Sequence, residues 1–177
     1  PVPSRDHTER MLGAMGADIH IRDNSISIRP STIQSINVTV PGDFSSAAYW
    51  IAAGCLHPDA DVVVRNVGVN RYRTGLIRTL LEMGADIVFE NEAVVGGEPV
   101  ADIRARTSRL KGVEVMGSII PWLVDELPIV ALIGAFADGT TTIRDATELR
   151  VKETDRIQTT TAQLSKMGIA IEELFDG

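Results

Sequence analysis

Apolar residues recur with helical period in the middle of this chain. Leu76, Ile77, Leu80 and Leu81 fall on one face of a segment running from Arg73 to Met83, the spacing of an amphipathic helix. The segments Thr8 to Met15 and Glu153 to Met167 are also helix-like, and all three end on one plan: Met15-Gly-Ala-Asp-Ile19, Met83-Gly-Ala-Asp-Ile87 and Met167-Gly-Ile-Ala-Ile171. The glycine in each copy stands where a helix C-cap belongs, because glycine accepts the left-handed conformation there. Strand-like runs follow at Ile19 to Ile21, Ile87 to Phe89 and Ile169 to Ile171.

A second pair of segments interleaves with these. Asp43-Phe-Ser-Ser-Ala-Ala-Tyr-Trp-Ile-Ala-Ala and Asp125-Glu-Leu-Pro-Ile-Val-Ala-Leu-Ile-Gly-Ala are both apolar, rich in small residues and headed by an aspartate. Each reads as a buried helix leading into a strand, Val62 to Asn66 and Thr140 to Asp145. Further strands are expected at Ser25 to Ile28 and Val100 to Ile103. The coarse unit is helix, strand, helix, strand, strand. Its spacings of 68 and 84 residues are too long for a solenoid and suit a βαβ-type subdomain used several times. The first unit lacks its front and the third its back, and the chain begins Pro-Val-Pro, so a piece cut from a longer polypeptide is expected.

Composition narrows the partners. Of 177 residues, 17 are basic and 24 acidic, a formal charge of −7. Such a chain is a poor general binder of nucleic acid or membrane surface. One cysteine, Cys55, excludes an internal disulfide and any multi-cysteine metal site, in agreement with a reducing cytoplasm. The longest apolar stretch, Leu127 to Ala137, is broken by Pro128 and Gly134 and falls short of the ~18 residues of a membrane span. Cys55, Trp50 and Trp122 read as packing residues. His20 and His57 have no partner at ligand spacing.

The candidate chemistry lies in Glu148-Leu-Arg-Val-Lys-Glu-Thr-Asp-Arg156, where seven of nine residues are polar or charged. Arg150, Lys152 and Arg156 crowd the start of the third repeated helix. Cations there oppose the macrodipole, at a few tenths to ~1 kcal/mol each. Such a start is suited to holding an anion between backbone N–H groups and side-chain cations. If helix begins at Lys152, then Lys152 and Arg156 share a face. The alternative is a solvated helix start whose acids offset its bases. The other repeated helices also start basic, at Ser4 to Arg10 and Asn70 to Thr74.

Five stretches in order resemble the 5-enolpyruvylshikimate-3-phosphate synthase family (3-phosphoshikimate 1-carboxyvinyltransferases). They are Ser4-Arg-Asp-His-Thr-Glu-Arg-Met-Leu12, Pro41-Gly-Asp-Phe-Ser-Ser-Ala-Ala48, Arg73-Thr-Gly-Leu-Ile77 with Met83-Gly-Ala-Asp86, Asp125-Glu-Leu-Pro128, and Leu149-Arg-Val-Lys-Glu-Thr-Asp-Arg156. The family's enzyme is more than twice this length. The resemblance implies an α/β (α+β) chain of repeated βαβαββ units, the enolpyruvyl transferase or inside-out α/β barrel fold, truncated at both ends. Residues 1–38 would finish one globular domain, and residues 39–177 would form most of two units of the other, with the active site in the cleft between them.

The family moves the enolpyruvyl group of phosphoenolpyruvate to the 5-hydroxyl of shikimate 3-phosphate, with loss of phosphate and without metal or organic cofactor. The resemblance carries roles over residue by residue. Asp125 becomes the general base at the acceptor hydroxyl, against a reading as a helix N-cap. Glu153 becomes the group that moves a proton at the enolpyruvyl carbon. Lys152 and Ser4 bind shikimate 3-phosphate, and Arg156 pairs with phosphoenolpyruvate. Arg5 and His7 are expected near the phosphate, Arg71 and Arg73 at the cleft or the surface, and Glu148 has an open role. Asp155, Asp43, Ser45 and Ser46 read as capping or structural groups, and Glu126 as a surface or helix-start acid. The family's N-terminal lysine, serine and arginine, its serine-serine-glutamine segment and its later arginine and lysine have no counterpart here. The 177-residue chain alone is therefore expected to be inactive, and its parent a cytoplasmic monomer binding small molecules rather than nucleic acid or membrane. Two rival readings stay open: a relative acting on a UDP-amino sugar, and a non-enzymatic anion-binding module that keeps only the repeat fold.

Overall fold

The computed structural model describes residues 3–23 and 25–177. Helix α1 (His7–Ala14) leads into the antiparallel hairpin of β1 (Asp18–Arg22) and β2 (Ser25–Arg29). An irregular stretch, 30–41, connects it to the main body. There α2 (Phe44–Leu56), β3 (Asp61–Gly68), α3 (Gly75–Glu82), β4 (Asp86–Val95) and β5 (Glu98–Arg106) follow in turn. The sheet order is β3-β5-β4, and both pairings with β5 are antiparallel. The two flanking strands therefore run parallel to each other, with α3 as the crossover.

The last third is more helical. Short β6 (Glu114–Val115) pairs in parallel with β7 (Thr142–Ile143). Between them stand α4 (Ile120–Leu123) and α5 (Leu127–Gly134). A 3₁₀ turn at Thr147–Val151 precedes α6 (Arg156–Lys166). One apolar core joins α2, α3, α4 and α5 to the inner sheet face, centred on Ile51, Leu76, Leu80, Ile103, Leu123, Leu127 and Ile133. Each such side chain contributes roughly 1.5–3 kcal/mol on leaving water. Gly75 is required for this packing, because a Cβ there would stand 2.9 Å from the Trp122 backbone. Asp102 pins a bulge in each flanking strand: its carboxylate accepts from the Asn66 amide at 2.8 Å and the Asn91 side chain at 2.9 Å. Both asparagines have positive φ.

The repeat plan is visible in the three helix ends, where Gly16, Gly84 and Gly168 have φ of +87°, +93° and +87°. Some expectations fail. Ile169 to Ile171 is not a strand, since no partner strand flanks it among the described residues. The strand expected at Thr140 to Asp145 shrinks to Thr142–Ile143. The third repeated helix starts at Arg156, not Glu153, because Asp155 is its N-cap, accepting from the Gln158 amide at 3.0 Å. Lys152 is extended, so Lys152 and Arg156 do not share a helical turn. Trp50 is 64% exposed on the outer face of α2 and is not a core residue. Cys55 is buried in α2, where desolvation raises its thiol to about 11. Among the described residues no single helix is long and apolar enough to cross a membrane.

Candidate active site

Asp125 occupies the turn between α4 and α5. It does not cap α5: that position belongs to Glu126, whose side chain makes no capping bond either. The Asp125 carboxylate instead gathers arginines from three parts of the chain. Arg5 donates to Oδ2 at 2.5 Å, Arg73 to Oδ2 at 3.0 Å and Arg156 to Oδ1 at 3.5 Å. Burial alone would raise this carboxyl. The Arg73 hydrogen bond and the charges of Arg5, Arg73 and Arg156 outweigh burial and hold it below the ordinary aspartate value.

Local structure explains each arrival. Arg73 ends the tight turn before α3, which Asn70 organises: the Asn70 carbonyl accepts from the Arg73 amide and its Oδ1 from the Tyr72 amide. Arg73 is only 16% exposed, so its guanidinium is committed to this spot. Arg156 is the first residue of α6, aimed back at Asp125. Arg5 arrives on a strap, residues 3–10, that lies over the turn. The Trp122 indole N–H donates to the Pro3 carbonyl at 2.8 Å, Asn70 donates to Asp6 at 2.6 Å, and His7 lies 2.8 Å from Glu98. Trp122 also meets Tyr72 edge to face, and Arg71 lies over the Tyr72 ring.

The other expected site residues lie at the rim. Glu153 is 76% exposed and accepts from Arg156 at 2.7 Å. A hydrogen bond from its own backbone, then Arg156, holds its carboxyl below the ordinary glutamate value. Lys152 is paired with Glu148. Ser4 is exposed on the strap beside Arg5 and does not cap α1. Asp6 holds the N-cap position of α1 without a capping bond, being engaged by Arg10 and Asn70.

Two assignments need correction. Glu126 is not a surface acid: it is 1% exposed, and desolvation raises its carboxyl despite help from Ser45 and Arg73. Ser45 is not a cap: that task falls to Asp43, which accepts from the Ser46 amide at 2.7 Å. The Ser45 hydroxyl donates to Glu126 at 2.5 Å and accepts from Arg73 at 2.7 Å. Helical spacing carried a signal, since Glu126 shares its face with buried Val130 and Ile133, four and seven residues on. Asn70, 1% exposed, has no local sequence signal of its burial. No cluster of three or more His, Cys, Asp or Glu side chains suited to a metal ion occurs among the described residues.

The arrangement is a part-buried carboxylate ringed by cations, able to take a hydroxyl proton and to hold anionic groups. The sequence model of EPSP synthase (3-phosphoshikimate 1-carboxyvinyltransferase) matches residues 1–177. The 3-phosphoshikimate 1-carboxyvinyltransferase of Synechococcus elongatus is 51% identical over 180 residues, and that of Thermoanaerobacter sp. is 50% identical over 178. All of this chain is covered, but only 40% and 42% of those relatives, so it spans about two fifths of their length. The solved EPSP synthase of Acinetobacter baumannii superposes with a TM-score of 0.95 at 44% identity, over the whole of this chain and 40% of that one. The enolpyruvyl transferase NikO of Streptomyces tendae superposes with a TM-score of 0.59 at 25% identity, over 82% of this chain and 34% of that one. Matched along its full length by the family's sequence model and half identical to these transferases, the chain belongs to the EPSP synthase family.

Proposed function

We propose that this chain is the central part of a 3-phosphoshikimate 1-carboxyvinyltransferase that moves the enolpyruvyl group of phosphoenolpyruvate to the 5-hydroxyl of shikimate 3-phosphate. In this reading residues 1–38 finish one globular domain and residues 39–177 form most of two units of the other. The whole enzyme is a cytoplasmic monomer with small-molecule substrates. The convergence of Arg5, Arg73 and Arg156 on Asp125 carries the reading, because three family motifs far apart in sequence meet there.

Asp125 takes the acceptor hydroxyl proton as the oxygen bonds to the central carbon of phosphoenolpyruvate. The methylene carbon gains a proton, giving a tetrahedral intermediate. Loss of a proton from that carbon and departure of phosphate then complete the transfer. Glu153 moves the proton at that carbon. A hydrogen bond from its own backbone, and then Arg156, hold its carboxyl below the ordinary glutamate value. When phosphoenolpyruvate draws Arg156 to its own anionic groups, that hold weakens and the carboxyl becomes a better proton carrier. Lys152 and Ser4 bind the phosphate of the acceptor.

The test is phosphate release from the two substrates by the full-length protein carrying this chain, beside the 177-residue chain alone. Turnover by the first and none by the second is expected, since a site closed by two domains needs both. A native-like rate from the short chain, or transfer only to a UDP-amino sugar by the long one, would overturn the reading.

A further inference from the structure

Behind Asp125 lies a second layer that the proposed chemistry does not use. Glu126 is an acid at 1% exposure, in direct sequence contact with the base. Its Oε1 accepts the Ser45 hydroxyl at 2.5 Å and lies 3.9 Å from the Arg73 guanidinium. Ser45 in turn accepts from Arg73 Nη2 at 2.7 Å, while Nη1 of the same guanidinium donates to Asp125 at 3.0 Å. The order is therefore Glu126, Ser45, Arg73, Asp125. Burying a carboxyl without full pairing is costly. A glutamine or an apolar residue would fill the same space at lower cost.

The geometry points to Glu126 and Ser45 as positioning residues: they fix the Arg73 fork so that one arm stays on Asp125, which keeps the base in one rotamer. The planar guanidinium suits this task. It offers two donors in fixed relative geometry, so anchoring one arm sets the other. The Ser45 hydroxyl supplies the polarity needed between two charged groups, taking a hydrogen bond from the cation and giving one to the anion. Arg5 and Arg156 reach Asp125 from more exposed positions. They can turn toward anionic substrates, whereas Arg73 is held from behind.

The inference rests on the transferase reading, so its test has one readout with turnover and one without. The full-length protein is compared with its Glu126→Gln, Ser45→Ala and Asp125→Ala variants and the Ser45→Ala/Asp125→Ala double variant. Glu126→Gln and Ser45→Ala are expected to lower kcat by about 10- to 100-fold, the effect of a small misplacement of the base, with KM for phosphoenolpyruvate within about threefold. The Ser45→Ala loss should vanish in the Asp125→Ala background, because a residue that acts through Asp125 has nothing left to position. Unchanged kcat, or an equal loss in that background, overturns the inference. NMR titration of the Asp125 carboxyl decides it independently of activity. Ser45→Ala frees Arg73 to swing toward Glu126, so the Asp125 midpoint should rise toward the ordinary aspartate value. A midpoint that stays in place overturns the positioning role even in a protein without turnover, whereas an inactive parent with a shifted midpoint overturns the transferase reading alone. Should Glu126→Gln fail to fold, Ser45→Ala, a helix-compatible change on α2, carries both readouts.

Discussion

Arg5 and Asp125 are 120 residues apart in sequence, and their side chains meet at 2.5 Å. The pair joins the strap that leads into α1 to the turn between α4 and α5. Both partners are partly open to water, at 49% and 32% side-chain exposure. Exposed pairs contribute only about 0–1 kcal/mol. Arg5→Ala should therefore lower the stability of the full-length protein by no more than about 1 kcal/mol, read from the urea midpoint at constant m-value. A larger loss would mean that the strap depends on this pair rather than on Trp122, Asn70 and the backbone beside them.

Asp125→Ala should leave the fold intact and lower kcat by about 10²- to 10⁴-fold, the range for loss of a positioned general base. KM for phosphoenolpyruvate should change far less, because the arginines remain and lose only their intramolecular competitor. Steady-state kinetics with both substrates varied separates the two effects. Unchanged turnover would remove Asp125 from the chemistry.

Much of this was legible in the sequence, and the failures have physical causes. Helices α2, α3 and α5 follow from apolar spacing, and the three glycine C-caps from the repeat. The Ile169 to Ile171 run has strand composition, but a strand also needs a neighbour to take its hydrogen bonds, which no local pattern reveals. The start of α6 slipped by three residues because Asp155 outcompetes Glu153 as the cap, bonding the Gln158 amide. At the site, Asp125 and Arg156 are legible through the family motifs. Sequence alone leaves Arg73 open between cleft and surface and reads Ser45 as a cap, because their partners lie 52 and 81 residues away. Neither contact leaves a local trace in the chain.

The two cations of the α6 start should separate by substrate. Lys152→Ala should raise KM for shikimate 3-phosphate, and Arg156→Lys should raise KM for phosphoenolpyruvate, each by roughly 10- to 100-fold, the worth of a charged hydrogen bond. Lysine keeps the charge of Arg156 but loses the fork that reaches Asp125 and Glu153 together. An equal effect of both variants on both substrates would mean that the start of α6 acts as one unspecific basic patch.

The lowered Asp125 carboxyl also makes a claim about acid. A group depressed in the folded state stabilises it above the unfolded value, about 3.9 for aspartate, and that contribution is lost as pH falls through the folded value. Between pH 5 and pH 3 the wild type should therefore lose more stability than Asp125→Asn. Urea melts at the two pH values give the difference, and parallel losses would show that the arginine ring does not act on this carboxyl.

Glu126 has the opposite sign. Burial raises its carboxyl in the folded state, so the protonated form is the one the fold prefers. As pH rises from the unfolded value, about 4.3 for glutamate, the unfolded chain gives up its proton first and stability declines until the folded value is passed. At neutral pH the ionised group is a standing cost. Glutamine keeps the size, without a charge to desolvate. Glu126→Gln should therefore melt at or above the wild-type temperature at pH 7.5, with the advantage shrinking as the pH is lowered to 4. The same variant is expected to turn over more slowly. A carboxylate that costs stability and supports rate is how a positioning group differs from a packing group. Scanning calorimetry across that pH range checks it: a Glu126→Gln protein that melts well below wild type at pH 7.5 would mean that the buried acid holds α5 in place and that its effect on rate is a consequence of folding.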